Sequence, residues 1–225
     1  MYMFQNRNTT LVKILVLVGA WFSLPMVVWG VDVKEVFDFE PVYEENVLCL
    51  GGGGWCGGTG EASFVTKGKN HFAHAGNRAV CLAVWDNNQK QAIGWAGITR
   101  KIPCQGGEKV KAGAWFYASS TNGPLRDGLA TAQIKMEFYS DQHAVFLETS
   151  MIYLSPLFSI TNHKPDQWHY LEVCGRVPSK AQLVRIAVIF SGQEMKGVRQ
   201  QVWVDDLGVE LTNSRHMAKM TQPWP

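Results

Sequence analysis

Beyond residue 30 apolar and polar side chains alternate with a period of two, in short runs broken by clusters of Gly, Asn, Asp and Pro. Successive side chains of an extended chain point to opposite faces, so this alternation predicts half-buried β-strands. In the run 109–118, Val110, Ala112, Ala114 and Phe116 share one face, while Lys111, Trp115 and Tyr117 share the other. In 132–139, Ile134, Met136 and Phe138 are expected inward and Gln133, Lys135, Glu137 and Tyr139 outward. Further strands are predicted over 79–85, 94–102, 168–173, 183–190 and 201–211, and no long stretch there shows helical spacing of apolar residues. Strands separated by turn signals predict an all-β fold, a two-sheet antiparallel jelly-roll sandwich over 31–211. No internal repeat or Ser/Pro linker divides it, and the aperiodic residues 212–225 are expected to form a loosely held tail.

Residues 1–30 differ from the rest. A basic start (Arg7, Lys13), an apolar run from Ile14 to Phe22, the helix-breaking Pro25 and the small Gly30 have the layout of a hydrophobic signal helix cleaved after Gly30. The competing reading is an uncleaved anchor, because Ile14 to Val31 is 18 residues long with Ser23 as its only polar side chain. A membrane is an expected partner only in that second case. Either way the folded part is expected outside the cytoplasm: secreted, periplasmic or at the cell surface.

With 225 residues, 46% of them hydrophobic, and 9 Trp, the chain can bury a real core and is too aromatic to be disordered. Lys and Arg number 21 against 19 acids; Arg7 and Lys13 lie in the acid-free leader, which leaves the remainder balanced at 19 against 19. A neutral chain without a basic stripe excludes nucleic acid as a partner, since phosphate neutralisation supplies most of that affinity.

Export makes disulfides permissible. There are five cysteines, an odd number, so at least one stays free or pairs with another chain. Cys49 and Cys56 flank a run of glycines flexible enough to close a possible disulfide. Cys81 and Cys174, inside apolar alternating runs, are expected to be small buried hydrophobes. No Cys/His spacing of the zinc type occurs.

Catalytic signatures are scarce. There is no GxSxG or HExxH, and Gly51 to Gly54 lack the Lys-Ser/Thr of a phosphate loop. His71 and His74 are spaced as HxxH but supply only two metal ligands. The adjacent acids Glu44-Glu45 and Asp205-Asp206 point to opposite faces of a strand and cannot flank a glycosidic bond together. Acids brought together by folding leave catalysis open. The outward faces of 109–118 and 132–139 are more informative. If these strands are neighbours, Trp115 and Tyr117 lie beside Gln133, Lys135, Glu137 and Tyr139. Aromatic rings pack against the C–H faces of sugars, and amide, carboxylate and ammonium groups bond their hydroxyls. The alternative is an exterior face covered by a loop, with the aromatics packed beneath.

Motifs in order along the chain carry a resemblance. Phe39-Glu40 ends a short first segment; His74-Ala75-Gly76 leads to Ala79 and Val80; Trp95-Ala96-Gly97 precedes Ile98; Gly107 to Phe116 forms a strand; Trp168 leads to Val177-Pro178 and Ala181; Trp203 and Val204 precede Asp205-Asp206-Leu207. In this the chain resembles the exported jelly-roll carbohydrate-binding modules that accompany xylanases and glucanases, over about Val36 to Leu211. The resemblance implies a galactose-binding-like sandwich, a polysaccharide or glycan as partner, sugar stacking on Trp95, and a structural calcium ion (Ca2+) held by Glu40 and Asp205. Parity supports Asp205, which shares a face with Trp203 and Leu207, both expected inward; a buried carboxylate requires a partner, and calcium prefers hard oxygen ligands. The alternative for Asp205 is satisfaction by backbone N–H groups with no metal.

Three departures qualify the resemblance. Val110 stands where the family pattern has Tyr, 51–60 is glycine-rich, and 140–164 is a partly apolar insertion that could roof the groove or dock a protein partner. The expected function is non-catalytic glycan binding. The first rival is a cell-envelope interaction protein using 140–164 or a free Cys, and the second is a polysaccharide lyase or hydrolase with unrecognised catalytic residues.

Overall fold

The computed structural model describes residues 33–37, 54–57, 60–85, 93–140, 152–193 and 198–212, the first two segments as backbone only. The leader, Glu40, Cys49, the Cys56 side chain, the first part of the 140–164 insertion and the tail beyond Thr212 lie outside the described residues.

The described residues form eleven strands in order: β1 (Val33–Phe37), β2 (Gly54–Gly57), β3 (Gly60–Thr66), β4 (Arg78–Trp85), β5 (Ile93–Pro103), β6 (Lys109–Tyr117), β7 (Ala130–Tyr139), β8 (Tyr153–Leu154), β9 (Trp168–Arg176), β10 (Leu183–Gln193) and β11 (Arg199–Thr212). No helix occurs among the described residues. The first sheet runs β3-β4-β11-β6-β9 with β1 also paired to β11; the second runs β2-β5-β10-β7-β8. Every pairing is antiparallel. From β4 onward the chain passes alternately between the sheets, except that β8 stays beside β7. The expected two-sheet antiparallel jelly-roll sandwich is therefore the fold.

All seven strands predicted from alternation are present, and their inner faces make the core. Val110, Ala112, Ala114 and Phe116 of β6 meet Ile134, Met136 and Phe138 of β7 in one buried cluster that also holds Ile186, Val188 and Phe190. Burying a large apolar side chain contributes roughly 1.5–3 kcal/mol, so these interleaved faces hold the sheets together. The described part of the 140–164 insertion joins this core. Ser155 N and Oγ bond Ile134, Phe158 pairs with Ala132, and the Phe158 ring is wholly buried 5.6 Å from Phe116. Between 152 and 164 the insertion thus extends the edge of the second sheet.

One parity expectation fails. The register of β11 against β6 shifts between Asp205 and Gly208, and Asp206 has φ 49°. This bulge inserts an extra residue and reverses which side chains face inward. Leu207, Val209 and Leu211 join the main core, but Trp203 faces the exterior of the first sheet, in a separate cluster with Cys81 and Tyr117. Asp205 therefore keeps the exterior face of Trp203, and of the three only Leu207 turns inward.

Candidate functional site

The exterior of the first sheet is partly covered. The segment after β3 folds back on itself, Lys67 N donating to Asn77 O at 2.7 Å, and Gly76 supplies the left-handed conformation (φ 59°) that returns the chain to β4. Phe72 from this loop stacks on Tyr117 at 4.3 Å and meets the edge of Trp203 at 5.0 Å. Tyr117 is buried, and Asp166 accepts its hydroxyl proton at 3.4 Å. Burial and the Asp166 charge both hold that phenol above its usual pKa. Tyr117 is thus packed beneath a loop, the alternative weighed for the aromatic face.

Asp205 fastens the same loop. Its carboxylate is completely buried, with Oδ2 accepting from His74 N at 2.8 Å and Ala75 N at 3.1 Å and Oδ1 accepting from Asp206 N at 2.8 Å. Burial pushes the carboxyl up to about 6, opposed by these N–H donors and reinforced by the Asp206 charge. Asp206 in turn lies 2.7 Å from His74 Nδ1, and the His74 ring stacks on Trp115 at 4.1 Å. The groups around Asp205 are N–H donors, two on Oδ2 and one on Oδ1. This is the arrangement of the metal-free alternative; Glu40, the other ligand expected for calcium, lies outside the described residues. Among the described residues no group of three His, Cys, Asp or Glu could hold a metal ion. That includes the HxxH pair, whose His71 instead exchanges backbone bonds with Gly68.

Beside Trp115 the sheet opens. Gly113 and Gly208 face each other across β6 and β11 and leave a hollow of about 360 Å³ whose walls include Lys111, Tyr170, Asp206 and Glu210. The Tyr170 ring lies over Gly113, where a Cβ would overlap the phenol, and 5.3 Å from Trp115. Tyr170 is 45% exposed, the one aromatic among the large exposed apolar side chains of the described residues. Lys111 bonds Glu172 at 2.6 Å, which holds the ammonium above its usual pKa, but both side chains are more than 40% exposed. Water screens so exposed a pair, so the ammonium can turn to a ligand hydroxyl at little cost.

The exterior of the second sheet carries a different arrangement. Glu137, only 2% exposed, lies between Lys135 and Arg185, with Lys135 Nζ and Arg185 Nε each 2.5 Å away and the Tyr139 hydroxyl donating at 3.2 Å. Burial would raise this carboxyl, but hydrogen bonds and charges from Lys135 and Arg185 hold it below its usual pKa. Tyr139 is buried, with the Arg185 guanidinium over its ring at 5.2 Å, and burial next to Glu137 pushes its phenol up to about 12. Trp95 and Gln133 are half-buried on the same face, on strands that flank β10.

The expected groove is thus not formed as a unit. β6 and β7 belong to different sheets, so Trp115 and Tyr117 lie on one exterior face while Trp95, Gln133, Lys135, Glu137 and Tyr139 lie on the opposite one. Alternation sets which face of its own strand a residue takes, whereas sheet membership depends on crossovers that alternation does not encode. Cys81 is buried as expected, its thiol pushed up to about 12 mainly by burial. Cys174 is instead exposed, because β9 is an edge strand and Leu171 and Val173 take its inner face. Tyr170 was legible by the same parity but carried no motif to single it out.

No protein-family model matches the chain, and no curated protein matches it. Among solved structures, the chain is similar to the enzymatically active domain of bacteriophage CBA120 tailspike protein 4, at 14% identity and a TM-score of 0.46 over 71% of this chain and 19% of that one. It is also similar to the carbohydrate-binding module TmCBM61 in complex with β-1,4-galactotriose, at 12% identity and 0.44 over 69% and 85% of the two chains. The K1 cleaved adhesin domain of Lys-gingipain from Porphyromonas gingivalis W83 matches at 12% identity and 0.43 over 82% and 99%. Scores this low place no ligand or site on this chain.

Proposed function

We propose that the protein is a non-catalytic glycan-binding module acting outside the cytoplasm, and that it holds a sugar on the exterior of the first sheet at Tyr170. The observation that carries this reading is the exposed Tyr170 ring, backed by Trp115 and standing at the wall of a hollow with Lys111, Asp206 and Glu210. A pyranose stacked on Tyr170 would turn its equatorial hydroxyls toward that ammonium and those carboxylates, which is how polar groups orient a sugar. The ordered motifs shared with polysaccharide-binding modules point the same way. Trp115 keeps a part in this reading as a support for Tyr170, since His74 stacks against it.

Affinity electrophoresis of the whole chain in gels containing xylan, β-glucan or galactan tests the proposal. Tyr170→Ala should weaken retardation at least tenfold, the equivalent of about 1.4 kcal/mol. Gly113→Ala, whose new methyl group must displace the phenol, should weaken it in the same direction. Unchanged retardation in both variants would sink the site. Release of reducing ends or unsaturated products would instead favour an enzyme. The envelope-interaction reading is favoured by Leu154 and Leu157, which are 53% and 45% exposed. A stable envelope partner lost in Leu154→Asp, with no glycan affinity, would select it.

A further inference from the structure

We infer that the Asp205-Asp206 pair of β11 is a clasp that seats the 67–77 loop on the first sheet and, through His74 and Trp115, sets the position of Tyr170. The two carboxylates divide the task. Asp205 fixes the loop backbone by accepting from consecutive amides, His74 N and Ala75 N, and also accepts from Asp206 N, closing its own bulge. Asp206, brought to the same face by its left-handed backbone, fixes the loop's side chain through His74 Nδ1. The bulge is what allows adjacent acids to act on one loop, since side chains of a regular strand would diverge to opposite faces.

From His74 the placement passes through rings. His74 lies parallel to Trp115, tilted by 15° at 4.1 Å, and meets Trp168 edge-on at 5.5 Å. Trp115 is next to Tyr170 at 5.3 Å, and Gly113 lets the phenol settle against the backbone. With His74 stacked on it, the Trp115 indole holds its rotamer and limits where Tyr170 can stand. Asp205 and Asp206 are therefore positioning residues. Asp205, which the family resemblance assigns to a calcium ion, is here taken up by a loop, and what joins the two sequence motifs His74-Ala75-Gly76 and Asp205-Asp206 is a set of hydrogen bonds.

The last link, to Tyr170 as a sugar platform, rests on the function proposed above, but the clasp does not, so the test reads the loop directly. Hydrogen exchange of the whole chain, resolved by residue, should show the His74 and Ala75 amides exchanging at least tenfold faster in Asp205→Asn, with β5 and β10 amides unchanged. The conservative Asp206→Asn retains an acceptor for His74 and should keep the tryptophan near-ultraviolet circular dichroism, whereas Asp206→Ala and His74→Ala should both alter it in the same way. Tryptic cleavage at Lys67 and Lys69 should accelerate in Asp206→Ala. If Asp205→Asn fails to fold, Asp206→Ala and His74→Ala carry the test alone. Unaltered exchange, cleavage and dichroism would overturn the clasp. So would a Tm that rises with added Ca2+ and falls on chelation in the wild type but not in Asp206→Ala, because the acids would then be serving a cation. Loss of glycan retardation in Tyr170→Ala, without loop loosening in Asp206→Ala, would break the clasp and leave the glycan site standing; loop loosening with no glycan affinity would do the reverse.

Discussion

The two exterior faces of the sandwich begin from the same kind of sequence and end differently. On both, an alternating strand points aromatic and polar side chains outward. On the first sheet, rings come together under a loop: Phe72, Tyr117 and Trp203 form a second small core, and a buried carboxylate holds the loop. On the second sheet charges come together: Glu137 is neutralised by Lys135 and Arg185, and Tyr139 lies beside them. Outward orientation is therefore not the same as availability. A side chain on an exterior face can still be used up by a loop or by its neighbours, and among the described aromatics Tyr170 best escapes both fates.

The sharpest way to break this comparison is to remove the ring core of the first face. Trp203 is completely buried although it lies outside the main core. Trp203→Ala should cost about 3–5 kcal/mol in urea denaturation, as for other buried aromatic truncations. A cost near 1 kcal/mol would mean that the loop is not a true second core layer.

A smaller effect is expected on the other face. Glu137→Ala leaves Lys135 and Arg185 without their shared carboxylate, but those side chains are 27% and 31% exposed and water screens them. The expected loss is roughly 2–3 kcal/mol, below that for breaking a fully buried pair. The same cluster has a pH signature. Because the folded Glu137 carboxyl is held below its usual pKa, its contribution is present above the unfolded value of about 4 and disappears as pH falls through the folded value. His163, lowered by burial and by His169, adds a loss that begins higher, below about 6.5. The Glu137 share is therefore read as the difference in Tm between wild type and Glu137→Gln, and that difference should shrink below about pH 4. A constant difference down to pH 2 would show that Glu137 acts through packing alone.

The smallest change in stability is expected at the proposed site. Tyr170→Ala removes a ring that is nearly half exposed and should cost under about 1 kcal/mol, while abolishing most glycan retardation. A large destabilisation with unchanged affinity would reverse the roles assigned to the two faces.

How much was legible can be followed residue by residue. Ile134, Met136 and Phe138 inward, and Gln133, Lys135, Glu137 and Tyr139 outward, follow directly from the pleat and hold. The assignment of Trp203 to the interior fails at a bulge, which reverses parity without a compositional mark beyond the Asp-Asp-Leu-Gly sequence around it. The joint groove of Trp115 with Gln133 fails for another reason: it requires strands consecutive in the chain to be neighbours in space, whereas a jelly roll sends them to opposite sheets. His74 and Asp206 were visible only as parts of separate motifs, and their meeting spans more than a hundred residues of chain.

Period-two alternation, broken by turn residues, determined by itself that this chain forms strands, which face of a regular strand such as β6 or β7 is apolar, and that two such layers must enclose a common core. Those properties are local, because a strand's faces are set by the geometry of each residue and its immediate neighbours. Tertiary structure alone decided which strands share a sheet, where β11 reverses its parity, and which outward aromatic remains accessible. Each of these depends on pairings between distant segments, whose free energy is gained only when the segments are brought together.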